Sequence, residues 1–164
     1  MIIKKVLVAG TFDILHPGHI FFINEAAKLG EVYVIVATDK NREKFSGKLP
    51  IIPEEQRLEV VSSLKNVKQA KLGRKDNEIL LTVSEINPDI ILLGPDQKFD
   101  GNLLKKALIR NNLGYIEVRR LHRYYDKYVL NSSSLIKRKI IESNDRDEKK
   151  KRMEIKYPTN YGEV

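Results

Sequence analysis

The sequence predicts an α/β fold, a doubly wound parallel sheet of five strands with helices on both faces, and three observations carry that prediction. Short β-branched apolar runs alternate with helix-period segments along the whole chain. The run Asp89–Leu93 (DIILL) is apolar without alternation, which marks a strand buried on both faces, as parallel sheets require. Glycine and polar residues follow the strands, at the edge where parallel sheets place their ligands.

The elements follow in order. Val6–Ala9 reads as the first strand, and Ile20–Leu29 as a helix closed by Gly30. Val32–Thr38 (VYVIVAT) has strong strand propensity. Glu54–Leu64 reads as a helix with Pro53 at its start, a position that suits proline. Val67–Leu72 is a short strand, Glu78–Ile86 a helix and Asp89–Leu93 the fourth strand. Leu103–Asn111 is a helix, Tyr115–Arg119 the fifth strand and Ser133–Ile141 the last helix. Right-handed crossovers between such strands give a Rossmann-like arrangement.

Composition narrows the function classes. The chain has 164 residues, 41% of them hydrophobic, with 7 Tyr and 5 Phe, enough for one compact core. It has no cysteine, which excludes disulfides, iron–sulfur clusters, thiolate zinc sites and cysteine nucleophiles. No apolar run approaches the roughly 18 residues of a membrane span, and MIIKKVLVAG is too short and too quickly polar for a signal peptide. A soluble, cytoplasmic protein is expected. Residues 1–141 hold 24 Lys and Arg against 16 Asp and Glu, whereas 142–164 hold 6 of each. The positive excess belongs to the folded part and attracts polyanions, whether nucleic acid, nucleotides or phosphorylated metabolites. Residues 1–142 read as the folded domain and 143–164 as a polar arm or tail.

The segment Gly10-Thr11-Phe12-Asp13-Ile14-Leu15-His16-Pro17-Gly18-His19 carries the chemistry. Gly10, without a Cβ, lets backbone approach a ligand. Pro17 suits the first turn of a helix, so His16 and His19 flank a helix N-terminus, an anion site by its free N–H groups and dipole. Imidazoles three residues apart share one face of that turn and can donate to phosphate oxygens. No GxGxxG occurs, and Gly47-Lys48 lacks the upstream glycine of a P-loop. The alternatives for the pair are a structural role or half of a metal site. The only other histidine is His122, so a zinc site would have to recruit carboxylates.

GTFDILHPGH resembles the signature of the HxGH-motif nucleotidyltransferase superfamily, which includes cytidylyltransferases and phosphopantetheine adenylyltransferases. The resemblance extends through Pro50-Ile51-Ile52-Pro53-Glu54-Glu55-Gln56-Arg57, Leu93-Gly94-Pro95-Asp96-Gln97 and Ser132-Ser133-Ser134. As a set these are most similar to archaeal FMN adenylyltransferases, the FAD synthetases. The similarity covers about residues 4–141 and makes 1–142 a nucleotidyltransferase domain. Archaeal FAD synthetases often carry cysteines toward the C-terminus; with none here, thiol-based redox control could not operate, and catalysis does not need it.

The resemblance implies ATP as co-substrate, accompanied by a divalent cation such as Mg²⁺, with FMN as acceptor. It implies a homodimer with neither nucleic acid nor membrane as partner. His16 and His19 would hold the triphosphate and stabilise the leaving pyrophosphate. Gly10 with the backbone of Thr11 and Phe12 would line the path of the α-phosphate, beside Pro17 and Gly18 at the helix start. Asp96 would bind ribose hydroxyls or the adenine side, or serve only as a turn residue; Tyr124 and Tyr125 would stack on adenine or isoalloxazine or serve only as packing, with Tyr124, just ahead of the serine segment, the site candidate. Ser132, Ser133 and Ser134 would open the last helix as a second anion site, or serve only as its cap, with Lys137 and Arg138 assisting. Lys44 and Lys48 read as a solvated loop ahead of phosphate contacts, and Arg57 as a helix-surface charge. Asp13 either contacts the site or fixes the turn. The rival readings are a cytidylyltransferase or adenylyltransferase for glycerol phosphate, ethanolamine phosphate or phosphopantetheine, a nucleic-acid-binding module, and a non-catalytic nucleotide binder.

Overall fold

A computed structural model of the chain describes residues 3–74 and 78–156. Five strands, β1 (Lys5–Gly10), β2 (Glu31–Val36), β3 (Val67–Leu72), β4 (Ile90–Leu93) and β5 (Glu117–Arg120), form one sheet in the order β3-β2-β1-β4-β5. Every neighbouring pair is parallel. The chain leaves β1 toward β2 and β3, then returns past β1 to β4 and β5. The crevice of such a sheet opens at that reversal, outside the carboxyl ends of β1 and β4.

Side-chain alternation divides the core in two. Val6 and Val8 of β1 pack with Val32, Val34 and Val36 against α1 (Pro17–Ala27) and α3 (Glu54–Ser62), through Phe22, Ile23, Ala26 and Val61. Leu7 faces the other way, with Ile35, Ile91 and Leu93, against α4 (Ile79–Ile86) and α5 (Gly101–Arg110), through Val83, Ile86, Leu104 and Leu108. β4 is buried at all four positions, as DIILL predicts.

Most boundaries differ from expectation by a few residues at the ends. Three differences have physical causes. First, α1 begins at Pro17, as the motif implied, and not at Ile20, where the apolar run begins, because His16 adopts extended backbone and leaves Pro17 at the first helical position. Second, the segment expected as a loop after β2 is a helix, α2 (Asp39–Ser46). Its signals are polar: Thr38 Oγ1 accepts from the Asn41 N–H (3.2 Å), and Gly47 closes it at φ +68°. Third, the last helix, α6 (Ser133–Lys156), does not stop at Ile141; the polar arm is its continuation. No glycine or proline interrupts residues 133–156, and Glu, Lys and Arg propagate helix well even without an apolar face. Residues 157–164 of the expected arm lie outside the described residues.

The turn into β2 is tight. A Cβ at Gly30 would stand 2.0 Å from the carbonyl oxygen of Lys4, which accepts the Glu31 N–H at 2.8 Å. Gly30→Ala must therefore displace backbone at the start of β1. A loss of about 1–3 kcal/mol is expected, read as a lower urea midpoint with an unchanged slope.

Candidate active site

The predicted motif forms the floor of a cleft of about 820 Å³ at the carboxyl edge. Its walls carry Gly10, Thr11, Phe12, His16, Gly18, His19, Asp96, Tyr124, Ser132, Ser133 and Ser134. These residues come from the β1–α1 turn, the loop after β4, the segment after β5 and the start of α6. Pro17 sits one position aside and lines a neighbouring surface groove with Tyr125.

The two imidazoles stack at 3.7 Å between centroids, and the Phe12 ring packs on His19 at 5.1 Å. Both Nδ1 atoms are buried without a hydrogen-bond partner. An orphaned N–H is costlier and rarer than an orphaned acceptor, so the proton of each neutral ring belongs on Nε2, the nitrogen left to donate to a ligand. Burial pushes His19 down to about 3, with His16 adding to the effect and Asp13 opposing it. Burial lowers His16 as well. The site thus holds two neutral donors beside the Gly18 N–H at the start of α1, where Pro17 has no N–H and those of His19 and Ile20 already donate to the His16 carbonyl.

Gly10 is needed for an internal reason. A Cβ there would stand 2.9 Å from the ring of Phe12, whose backbone takes the left-handed φ of +52° and turns the ring back over the strand end. Gly18 is similar: a Cβ would meet the Asn131 carbonyl oxygen at 2.4 Å, so the chain entering α6 lies directly on the helix start.

Asp13 fixes the turn. Its Oδ1 accepts from the Ile52 N–H (2.9 Å) and its Oδ2 from Lys137 Nζ (2.5 Å). Burial raises its carboxyl, but Lys137 and the backbone N–H groups of Ile52 and Ile51 outweigh this and hold it below the usual range. Ser132 Oγ caps α6 by accepting from the Leu135 N–H, and Ser133 Oγ donates to the Ile14 carbonyl, each at 3.3 Å. Ser134 is exposed on the cleft, near Lys137 and Arg138. The Tyr124 hydroxyl donates to the Asp96 carboxylate, and that bond and the nearby negative charge raise the phenol. Gln97 completes the β4 loop: its amide donates to Ala9 O (2.5 Å) and accepts from the Gly94 N–H (2.9 Å).

Two expectations need correction. Lys44 lies on α2 and not in a loop, outside the cleft wall, whereas Lys48 is on that wall. Arg57 is not a surface charge; it is 1% exposed. Its Nε donates to Ile52 O (2.8 Å), Nη1 to Thr11 O, and Nη2 to Ala37 O (2.8 Å) and Asp39 Oδ1 (2.6 Å). One side chain therefore joins the turns after β1 and β2 to the strand of residues leading into α3. The segment ending in Arg57 was legible as a motif, but a helix reading Glu-Glu-Gln-Arg gives no apolar stripe to show which face is buried. Arg42 also stands on the cleft wall, a position that sequence reasoning did not single out.

A cytidylyltransferase-like family model matches residues 7–139, most of the chain. The chain belongs to the cytidylyltransferase-like family. A FAD synthase of Methanobrevibacter smithii is 42% identical over 139 residues, 82% of this chain and 90% of that protein. One of Methanothermobacter thermautotrophicus is 45% identical over the same share of each. Among solved structures, a lipopolysaccharide core biosynthesis protein from Thermoplasma volcanium superposes with a TM-score of 0.70 at 41% identity, covering 76% of this chain and 99% of that one. In this cytidylyltransferase-like chain the matched span holds β1 from Leu7 onward, the other four strands, the paired histidines and the α6 start.

Arg57→Lys keeps the charge but cannot span four acceptors, so about 3 kcal/mol of stability is expected to be lost in denaturant unfolding. The imidazoles give a pH dependence. Unfolded, they take protons near pH 6.5; folded, they resist, so the unfolded state binds more protons below that pH. Their contribution is complete above 6.5 and declines as pH falls toward about 3. The melting temperature is therefore expected to fall from pH 7 to 5.5, above the values of 3.8 and 4.5 near which unfolded Asp13, Glu85 and Glu117 take protons, and His19→Gln to flatten that slope.

Proposed function

We propose that this chain transfers AMP from ATP to FMN, giving FAD and pyrophosphate. The observation that carries this reading is the coincidence of two things: FAD synthases as relatives over four-fifths of the chain, and an HxGH turn forming the floor of a cleft of about 820 Å³, large enough for a nucleotide.

The chemistry asks little covalent work of the protein. The FMN phosphate has its second pKa near 6, so its oxygen is already anionic at neutral pH. That oxygen attacks the α-phosphorus of ATP; the new P–O bond forms as the bond to the bridging oxygen breaks, and pyrophosphate leaves with the electron pair. No general base is needed. The barrier is the meeting of two polyanions and the charge growing on the leaving oxygens, which positioned donors relieve.

In this reading the Nε2–H groups of His16 and His19, with the first turn of α1, hold the triphosphate and meet that growing charge. Gly10 and the backbone of Thr11 and Phe12 border the α-phosphate. Ser134, Lys137 and Arg138 at the start of α6 give a second anion site, where Ser132 and Ser133 hold the helix in place. Asp96 and Tyr124 take the nucleoside side. Among the described residues no three His, Asp or Glu side chains converge to cage an ion, so the Mg²⁺ of this proposal would arrive on the triphosphate, bound by phosphate oxygens and water.

The catalytic unit is residues 1–142, with 143–164 a polar extension. The protein works as a cytoplasmic homodimer on small molecules and not on nucleic acid. Support for the dimer is exposed apolar surface on the segment before α6 and along its first turns, at Val129, Leu130, Ile140 and Ile141. Among the described residues no helix is long and apolar enough to cross a membrane.

Incubating the protein with Mg²⁺, FMN and ATP or CTP in turn tests the reaction; FAD from ATP is expected, and glycerol phosphate consumed with CTP in its place would overturn the assignment. His16→Ala and His19→Ala should each lower turnover by about 10²–10³ with little change in FMN affinity, since a donor to the leaving group acts in the transition state. Equal losses in turnover and FMN binding would contradict the role given to the histidines.

A further inference from the structure

A second cavity, of about 200 Å³, lies on the α4 side of the sheet at the carboxyl ends of β1 and β2. It shares Ala9, Gly10 and Arg42 with the cleft, so the two spaces meet at the end of β1. Its lining is predominantly apolar, and two phenylalanines stand at it with their rings in solvent, Phe45 at 69% and Phe99 at 46% exposure. Exposed phenylalanine beside an apolar hollow is a costly arrangement unless a flat partner covers it.

The same cavity holds an unexplained polar atom. Thr82, on α4, is 2% exposed, and its Oγ1 has no hydrogen-bond partner. A buried hydroxyl left unpaired destabilises the fold and needs a reason. A ligand atom that donates to it or accepts from it supplies one.

Together these features specify a ligand: a planar ring that stacks on phenylalanine, a heteroatom on the ring edge for Thr82, and an anionic group within reach of Arg42 at the junction with the cleft. We propose that this cavity seats the isoalloxazine ring of the acceptor, with Arg42 on its phosphate and the ribityl chain passing Gly10. The assignment rests on the reading of this chain as an FMN adenylyltransferase. It makes Phe45, Phe99, Thr82 and Arg42 the residues that choose the acceptor, separate from those that hold ATP. A small acceptor such as glycerol phosphate would leave the hollow and its hydroxyl unfilled.

The test is calorimetric titration of the full chain with FMN, riboflavin and a nonhydrolysable ATP analogue, alongside the FAD-forming assay. Thr82→Val is isosteric and removes only the hydroxyl. It is expected to keep or raise the melting temperature while weakening FMN about tenfold. Phe99→Ala, at an exposed position, should also weaken FMN by roughly tenfold. Affinity for the ATP analogue should stay within twofold in both. Arg42→Gln should erase the preference for FMN over riboflavin. FAD formed by the unaltered chain, with FMN affinity unchanged in both Thr82→Val and Phe99→Ala, would overturn the cavity assignment alone. No FAD from the unaltered chain would overturn the activity and the cavity assignment with it.

Discussion

The guanidinium of Arg57 holds the carboxyl edge of the sheet in place, and the cleft depends on it. Its donors reach the carbonyls of Thr11, Ala37 and Ile52 and the carboxylate of Asp39, so three separate turns share one anchor. Asp39 and Glu54 complete the arrangement: each carboxylate accepts the other residue's backbone N–H, tying the starts of α2 and α3. Burying an arginine costs several kcal/mol unless its donors are satisfied, and here that condition is met by backbone oxygens that the turns leave free. The result is a rigid seat for Phe12 in its left-handed conformation, which a bulky residue adopts only when its surroundings force it. Phe12 in turn packs on His19. A chain of contacts thus runs from a buried charge on α3 to the imidazole at the cleft floor.

The electrostatics of the cleft follow from that packing. Stacked imidazoles 3.7 Å apart cannot both carry charge without mutual repulsion, and burial disfavours charge on either. Fixed positive potential comes instead from the helix starts and from Lys48 and Arg138 around the wall, the charge of Lys137 being paired with Asp13. A site built from neutral donors and peripheral cations holds a polyanion without first paying for a cluster of buried charges. Lys137 shows the economy of the arrangement, since its ion pair with Asp13 both orders the turn and keeps an ammonium at the wall.

Much of this was legible in the sequence. The strands were visible because apolar β-branched runs carry their own signal, and Pro17 between two histidines announced a helix start. Other features were hidden for identifiable reasons. α2 is almost wholly polar, so periodicity could not reveal it, although Thr38 and Gly47 are its caps. α6 runs past Ile141 on propensity and charge, where an apolar stripe is absent. Arg57 was misread because burial of a charged residue is decided by acceptors far away in sequence, at Thr11 and Ala37. Gly10 stands on the cleft wall, and the structure adds a reason for its bare Cα that the sequence did not show: the ring of Phe12, two residues on, occupies the space of a Cβ.

Gly10 also explains how two ligand spaces can coexist at one strand end. β1 lies next to the reversal of strand order, so its last residue borders both faces of the sheet: the cleft lies on the side of α1 and α6, the smaller cavity on the side of α4. Nothing but backbone separates them at that point, since Phe12 folds over one side of Gly10 and no side chain projects from it. An adenylyl transfer needs two large anions brought to contact from different directions, each held by its own cations so that neither binds at the other's expense. In the proposed arrangement the triphosphate is held from the helix starts of α1 and α6, and the acceptor phosphate from Arg42 on α2. The two spaces meet at Ala9, Gly10 and Arg42, which is where the two anions approach, and Arg57, by fixing the turns after both β1 and β2, sets how far apart those two holds are.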